Sequence, residues 1–99
     1  MASSTAVSTG ALASGSTTVI ANGRSILNSI QVTTDGTNAA TVTVYDNTAA
    51  SGKVLAVIIV AGATLSGSRN LIPGLRAEIG LTAVVAGTGA TGYVSFGAN

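Results

Sequence analysis

The 99-residue chain has no cysteine, no histidine, no tryptophan and a single proline. Without cysteine there is no disulfide, and without cysteine or histidine the usual structural zinc sites cannot form, so neither common staple of a small fold is at hand. The same absences remove the commonest general base, the thiol nucleophile and imidazole ligation of metals. Only three aromatic residues are present, Tyr45, Tyr93 and Phe96, so valine, isoleucine and leucine have to fill the core. Charge is scarce as well. Arg24, Lys53, Arg69 and Arg76 stand against Asp35, Asp46 and Glu78, which makes 7% charged residues and a net charge of +1, where about 25% charged is usual.

A freely diffusing domain keeps its surface charged, because near-neutral surfaces associate. Here Thr, Ser, Gly and Ala cover what the core does not, which suits a surface that lies against other protein. It also suits a Ser/Thr-rich β domain that is soluble by itself. Four cations without a basic stripe or a stacking aromatic cluster make no nucleic-acid footprint, so no nucleic acid is expected as a partner. The longest apolar run, "VLAVIIVAGATL" from Val54 to Leu65, falls short of the roughly 20 residues of a membrane-spanning helix. No membrane partner is expected, and the first residues lack the basic n-region and continuous apolar stretch of an export signal.

What is present is strand and turn patterning. Residues 1–15 are Ala/Ser/Thr/Gly with apolar residues only at Val7 and Leu12, too sparse to pack alone, and read as an N-terminal arm that orders only in an assembly. Residues 16–99 read as one β domain. "STTVIA" is a short strand, and Asn22-Gly23 supplies the pair that suits a two-residue hairpin turn, with Arg24 opening the return strand. In "RSILNSIQVTT", Ile26, Ile30 and Val32 are assigned to one face, while Leu27 and Asn28 break the alternation and predict a bulge or a two-sided contact. "TVTVYD" sets Val42 and Val44 on one face and Thr41, Thr43 and Tyr45 on the other, a half-buried strand whose threonines keep the outer face wettable without charge. "KVLAVIIV" from Lys53 is continuously apolar and predicts a strand covered on both faces. Pro73-Gly74 predicts a turn. "RAEIGLTAVV" predicts one strand with Ala77, Ile79, Leu81, Ala83 and Val85 inward, and "YVSFG" a last strand with Val94 and Phe96 inward. No window has the 3.6-residue period of a helix. The fold class expected is all-β, an antiparallel β-sandwich or jelly roll.

The candidate chemistry is thin. Asp35 and Asp46 sit at the two ends of one extended segment, on the order of 35 Å apart at about 3.3 Å per residue, far beyond the roughly 5–10 Å of a glycosidase pair. Each is read as a turn former bonding its own backbone, and Glu78, with Arg76 two residues away, as a rim charge. "GTGATG" from Gly87 to Gly92 matches the dinucleotide-binding spacing letter for letter, but that motif works through a following helix N-terminus, and a five-residue strand follows here. One carboxylate per loop is too little for calcium. No catalytic, cofactor-binding or metal-binding residue is predicted. Tyr45 and Tyr93 point outward, and exposed tyrosines anchor protein interfaces or stack sugars.

The stretches "GRSILNSIQVTTDGTNAATVTVYDNTAASGKVL" (Gly23 to Leu55) and "PGLRAEIGLTAVVAGTGATGYVSFG" (Pro73 to Gly97) resemble small β-rich virion structural proteins of tailed bacteriophages and cyanophages. The likeness lies in "TVTVYD", "SGKVL" and the spacing of Gly74-Leu75 and Gly80-Leu81. The resemblance implies assembly on the virion, as a capsid decoration (cement) protein on the head surface, or as a tail, spike or neck component. It implies the major capsid protein and further copies of the chain, in a homodimer or homotrimer, as partners. An interface is expected over Val7, Leu12, Arg24, Tyr45, Lys53, Arg69, Arg76 and Tyr93. A carbohydrate-binding module is the expectation from a different class, and an enzyme is not expected.

Overall fold

Alternation of β-branched and small polar residues, broken by glycine, leaves the backbone little choice but extended strands joined by turns. The computed structural model describes residues 7–62 and 64–98. In chain order the strands are β1 Val7–Ser8, β2 Leu12–Ala13, β3 Thr17–Asn22, β4 Ser25–Thr33, β5 Ala40–Asp46, β6 Lys53–Val60, β7 Ser66–Ala77, β8 Gly80–Ala86 and β9 Thr91–Ala98. They form two sheets, all of whose pairings are antiparallel. The first runs β1-β9-β4-β7 with β2 also on β9, and the second β3-β8-β5-β6. From β3 onward only β5 and β6 are both consecutive in the chain and paired; every other connection passes from one sheet to the other. Among the described residues no helix is long and apolar enough to cross a membrane.

One core lies beneath both sheets. Leu27, Ile30, Val32 and Val94 come from the first, and Val42, Val44, Leu81, Ala83 and Val85 from the second. The sheets approach closely where side chains are missing: a Cβ on Gly92 would lie 2.8 Å from Val85 Cγ2 and 3.0 Å from Val42 Cγ2. The accessible surface, 5021 Å², is close to the ~5,050 Å² of a compact monomer of this mass. The chain therefore forms a compact domain by itself.

Several sequence expectations hold. Val42 and Val44 are buried with Thr41, Thr43 and Tyr45 on the opposite face, and the register of β4 slips between Leu27 and Ser29, a bulge at Asn28. Others need correction. β3 pairs with β8 and not with β4, so Asn22-Gly23 is a crossing between sheets and not a hairpin. Leu27 is fully buried while Ile26 is only partly so, because the bulge shifts the alternation by one residue. β6 is an edge strand, and Ile59 on it is 72% exposed, so its apolar run is not covered on both faces. β7 continues through Pro73, with Leu71 to Gly74 bulged opposite Asn28. An edge strand tolerates the missing proline N–H, and no reversal occurs there. "RAEIGLTAVV" is two strands: β7 ends at Ala77, the chain turns at Glu78 and Ile79, and Ile79 is exposed.

The segment read as an arm is, from Val7 on, part of the sheet. Val7 and Ser8 pair with Phe96 and Ser95, and Leu12 and Ala13 with Gly92 and Thr91. The Thr9 N–H donates to Val94 O at 2.9 Å, the Gly15 N–H to Val85 O at 2.8 Å, and the Ser14 hydroxyl to Gly87 O. Leu12 is 8% exposed and belongs to the core. A sparse sequence packs because β9 offers a free edge and the core a place for one leucine. Ordering that waits for an assembly does not apply to residues 7–15; residues 1–6 lie outside the described residues. Leu12→Ala is expected to lower unfolding stability by about 2 kcal/mol, measured by denaturant titration; a dispensable arm would leave it unchanged.

Candidate docking surface

Asp46 shares the parity of Val42 and Val44 and therefore points to the buried side, where it is 6% exposed. A carboxylate there needs donors. It finds them in the turn between β7 and β8: the Ile79 N–H donates to Oδ1 at 2.8 Å, the Glu78 N–H to Oδ2 at 3.1 Å and the Gly80 N–H to Oδ1 at 3.4 Å. The Ile79 N–H is the chief cause that holds the Asp46 carboxyl below its ordinary range; partial burial opposes it, and Lys53, opposite Asp46 in the β5–β6 register, adds to it. Asp46 is thus not a former of its own turn, as the sequence suggested, but the anchor of a distant one. Asp35 does act locally, accepting from the Asn38 and Thr37 N–H groups at 2.8 Å each and from Asn38 Nδ2 at 2.9 Å. These bonds, that of the Asn38 N–H first, lower its pKa as well.

Around the Asp46 anchor three loops meet. The Gly23 N–H donates to Ile79 O at 2.8 Å, and the Thr82 hydroxyl donates to Asn47 O at 2.8 Å. The charges follow. Glu78 lies 3.6 Å from Arg24 and 3.8 Å from Arg76, Lys53 faces Asp46 in register, and five of the seven charged residues therefore sit at one pole of the molecule. The cations that look scattered in the sequence are mostly gathered by the fold. All three side chains of the Arg24–Glu78–Arg76 cluster are well exposed, so the cluster contributes at most about 1 kcal/mol to stability. Its charges are available to a partner.

Next to this pole the outer face of the second sheet carries no charge. Its registers bring Val19, Tyr45 and Val54 into one row around the fully buried Thr82; Thr17, Val84, Thr43 and Val57 into the next; and Ala86, Thr41 and Ile59 into a third. Val54 is 46% exposed and Ile79, at the pole itself, 55%. Of the residues expected at an interface, Arg24, Tyr45, Lys53 and Arg76 are brought together here. Leu12 is in the core, Val7 is paired with Phe96, and Tyr93 is on the outer face of the first sheet. Arg69 is on the edge strand β7 and donates from Nη1 to Val57 O at 3.4 Å. β6 is an edge strand, so this contact sets a charge beside it, where strand-to-strand aggregation would start.

Sequence reasoning missed Val19, Val54, Ile59 and Ile79 as surface groups, and it missed Asp46. The parity of "TVTVYD" carries the signal for Asp46. Among the described residues no three acidic side chains come together to hold a metal. Compared with protein-family models, with curated proteins and with solved structures, the chain matches none.

Asp46→Asn is expected to cost about 2–3 kcal/mol at pH 7. Asp46 and Asp35 have lowered folded pKa values, so the stability they contribute is complete above the unfolded carboxylate pKa of about 3.9 and is lost as pH falls through the lower folded values. Denaturation of both proteins between pH 7 and pH 2 should show the difference between them shrinking with acid. Arg69→Ala is expected to change stability by less than about 0.5 kcal/mol while raising concentration-dependent self-association in light scattering.

Proposed function

We propose that the chain is a non-enzymatic virion structural protein, a decoration (cement) protein on the head of a tailed phage, built as a jelly-roll sandwich. If β1 and β2 count as one interrupted strand, the orders β1/β2-β9-β4-β7 and β3-β8-β5-β6 are what an eight-stranded roll of two Greek keys gives. That architecture serves viral capsid and lectin domains among others. The observation that carries the reading is the surface itself, an uncharged Val/Thr/Ile sheet face beside a pole that holds Arg24, Arg76, Lys53 and Tyr45. Arginine and tyrosine are the types enriched where interfaces draw their energy, and apolar area removed from water contributes about 25 cal/mol per Å².

On this reading the charged pole and the second sheet's outer face dock against the major capsid protein and neighbouring copies of the chain. Bridging subunits stabilises a shell because separating them then also breaks the bridge, and many weak contacts suffice when they act together. Quantitative mass spectrometry of purified particles tests it. The expected copy number matches that of shell subunits; a handful of copies would move the protein to the tail, spike or neck, and none would end the virion reading. Arg24→Glu with Arg76→Glu is expected to weaken binding to heads lacking the protein by about tenfold or more, with unfolding stability little changed; undiminished binding would exclude the pole as the docking site.

A further inference from the structure

The outer face of the first sheet has a different chemistry. Beyond the Asn28 bulge, Ser29, Gln31 and Thr33 point away from the core while Ile30 and Val32 are fully buried. The registers set Gln31 between Tyr93 and Ser68, and Thr33 between Thr91 and Ser66. Tyr93, Gln31, Thr33, Ser66 and Ser68 line a half-open concavity of about 390 Å³, within the ~300–1,000 Å³ range of small-ligand clefts. Among the described residues, no hydrogen bond within the chain engages the side chains of Gln31, Ser66, Ser68 or Tyr93. Thr33 reaches Thr91 O only at 3.5 Å.

We infer that this concavity is a binding site for a neutral saccharide. No charged side chain lines it, so a phosphate, carboxylate or ammonium ligand would give up hydration with no counter-charge to replace it. The ligand that suits it is uncharged, rich in hydroxyls and apolar on one face. Amide and hydroxyl groups each donate and accept, as sugar hydroxyls do, and the Tyr93 ring offers a flat apolar surface with a polar tip. The three strands hold these groups in rows about 4.8 Å apart across the sheet, so the constellation is preset by backbone pairing and does not depend on a loop. A chain docked by its second sheet would keep this face toward solvent, but the site does not rest on that docking.

The test uses the free full-length chain, so its failure and that of the virion reading are distinguishable. Saturation-transfer NMR with oligomers of glucose, galactose, mannose and N-acetylglucosamine should show millimolar binding of at least one of them. Tyr93→Ala should weaken it about tenfold and Tyr93→Phe less than about threefold. Gln31→Ala, an exposed substitution, should also weaken it, and Tyr45→Ala on the opposite sheet should leave it unchanged. Thermal unfolding of each variant guards against misfolding. No transfer to any neutral sugar, binding that survives both Tyr93→Ala and Gln31→Ala, or an equal loss with Tyr45→Ala would overturn the assignment, as would a clear preference for a sulfated or sialylated oligomer.

Discussion

The contact between the Asp46 carboxylate and the three N–H groups of Glu78, Ile79 and Gly80 ties together parts of the chain more than thirty residues apart. It joins the end of β5 to the turn by which the chain leaves the first sheet for the second. A chain without disulfides or metal ligands has few means of holding such a turn. The carboxylate accepts from three consecutive N–H groups of that turn, and on the inward side of β5 it would be costly to leave it without donors. The position of Glu78, and through it of Arg24 and Arg76, follows from that anchor. The charged pole is a consequence of how the turn is held.

What the sequence made legible is the sidedness of each strand. Val42 and Val44 against Thr43 and Tyr45, the break at Leu27-Asn28 and the inward Val94 are local facts, because successive side chains of a strand point to opposite faces. Neighbourhood is not local. Asn22-Gly23 carries the letters of a hairpin, yet the chain crosses to the other sheet there, because β8 and not β4 offers the free edge to β3. The apolar run of β6 looks central and lies on an edge, since periodicity reports how many faces are apolar but not what covers them. Ile79 follows the inward parity of Ala77, Leu81 and Ala83 but is exposed, because it lies in the turn between β7 and β8 and not in a strand. Half of the candidate site was readable in the same way. The arginines and Tyr45 stand out as residue types, but that they converge depends on three loops meeting.

The low charge also reads differently once it is placed. Seven charged residues spread evenly over 5021 Å² would give each face a weak, featureless potential. The fold instead spends most of them at one pole, sets Asp35 in its own turn and Arg69 against an edge carbonyl, and leaves both sheet faces neutral. A neutral face discriminates poorly through long-range attraction. Recognition by such a face has to come from shape, from apolar area and from hydrogen bonds made at contact, while orientation on approach is left to the pole.

The two faces, though equally uncharged, differ in what they ask of a neighbour. The second sheet presents Val54, Val57, Ile59 and Val84, groups that gain only by losing water, so a large and equally apolar surface satisfies them. The first presents Gln31, Ser66, Ser68 and Tyr93, whose polar atoms would be desolvated at a cost by such a surface and are matched only by a partner carrying its own donors and acceptors. The faces cannot exchange roles without loss. The chemistry of one face therefore suits a large apolar surface and that of the other suits small polar groups, and because the two faces belong to different sheets neither demand compromises the other.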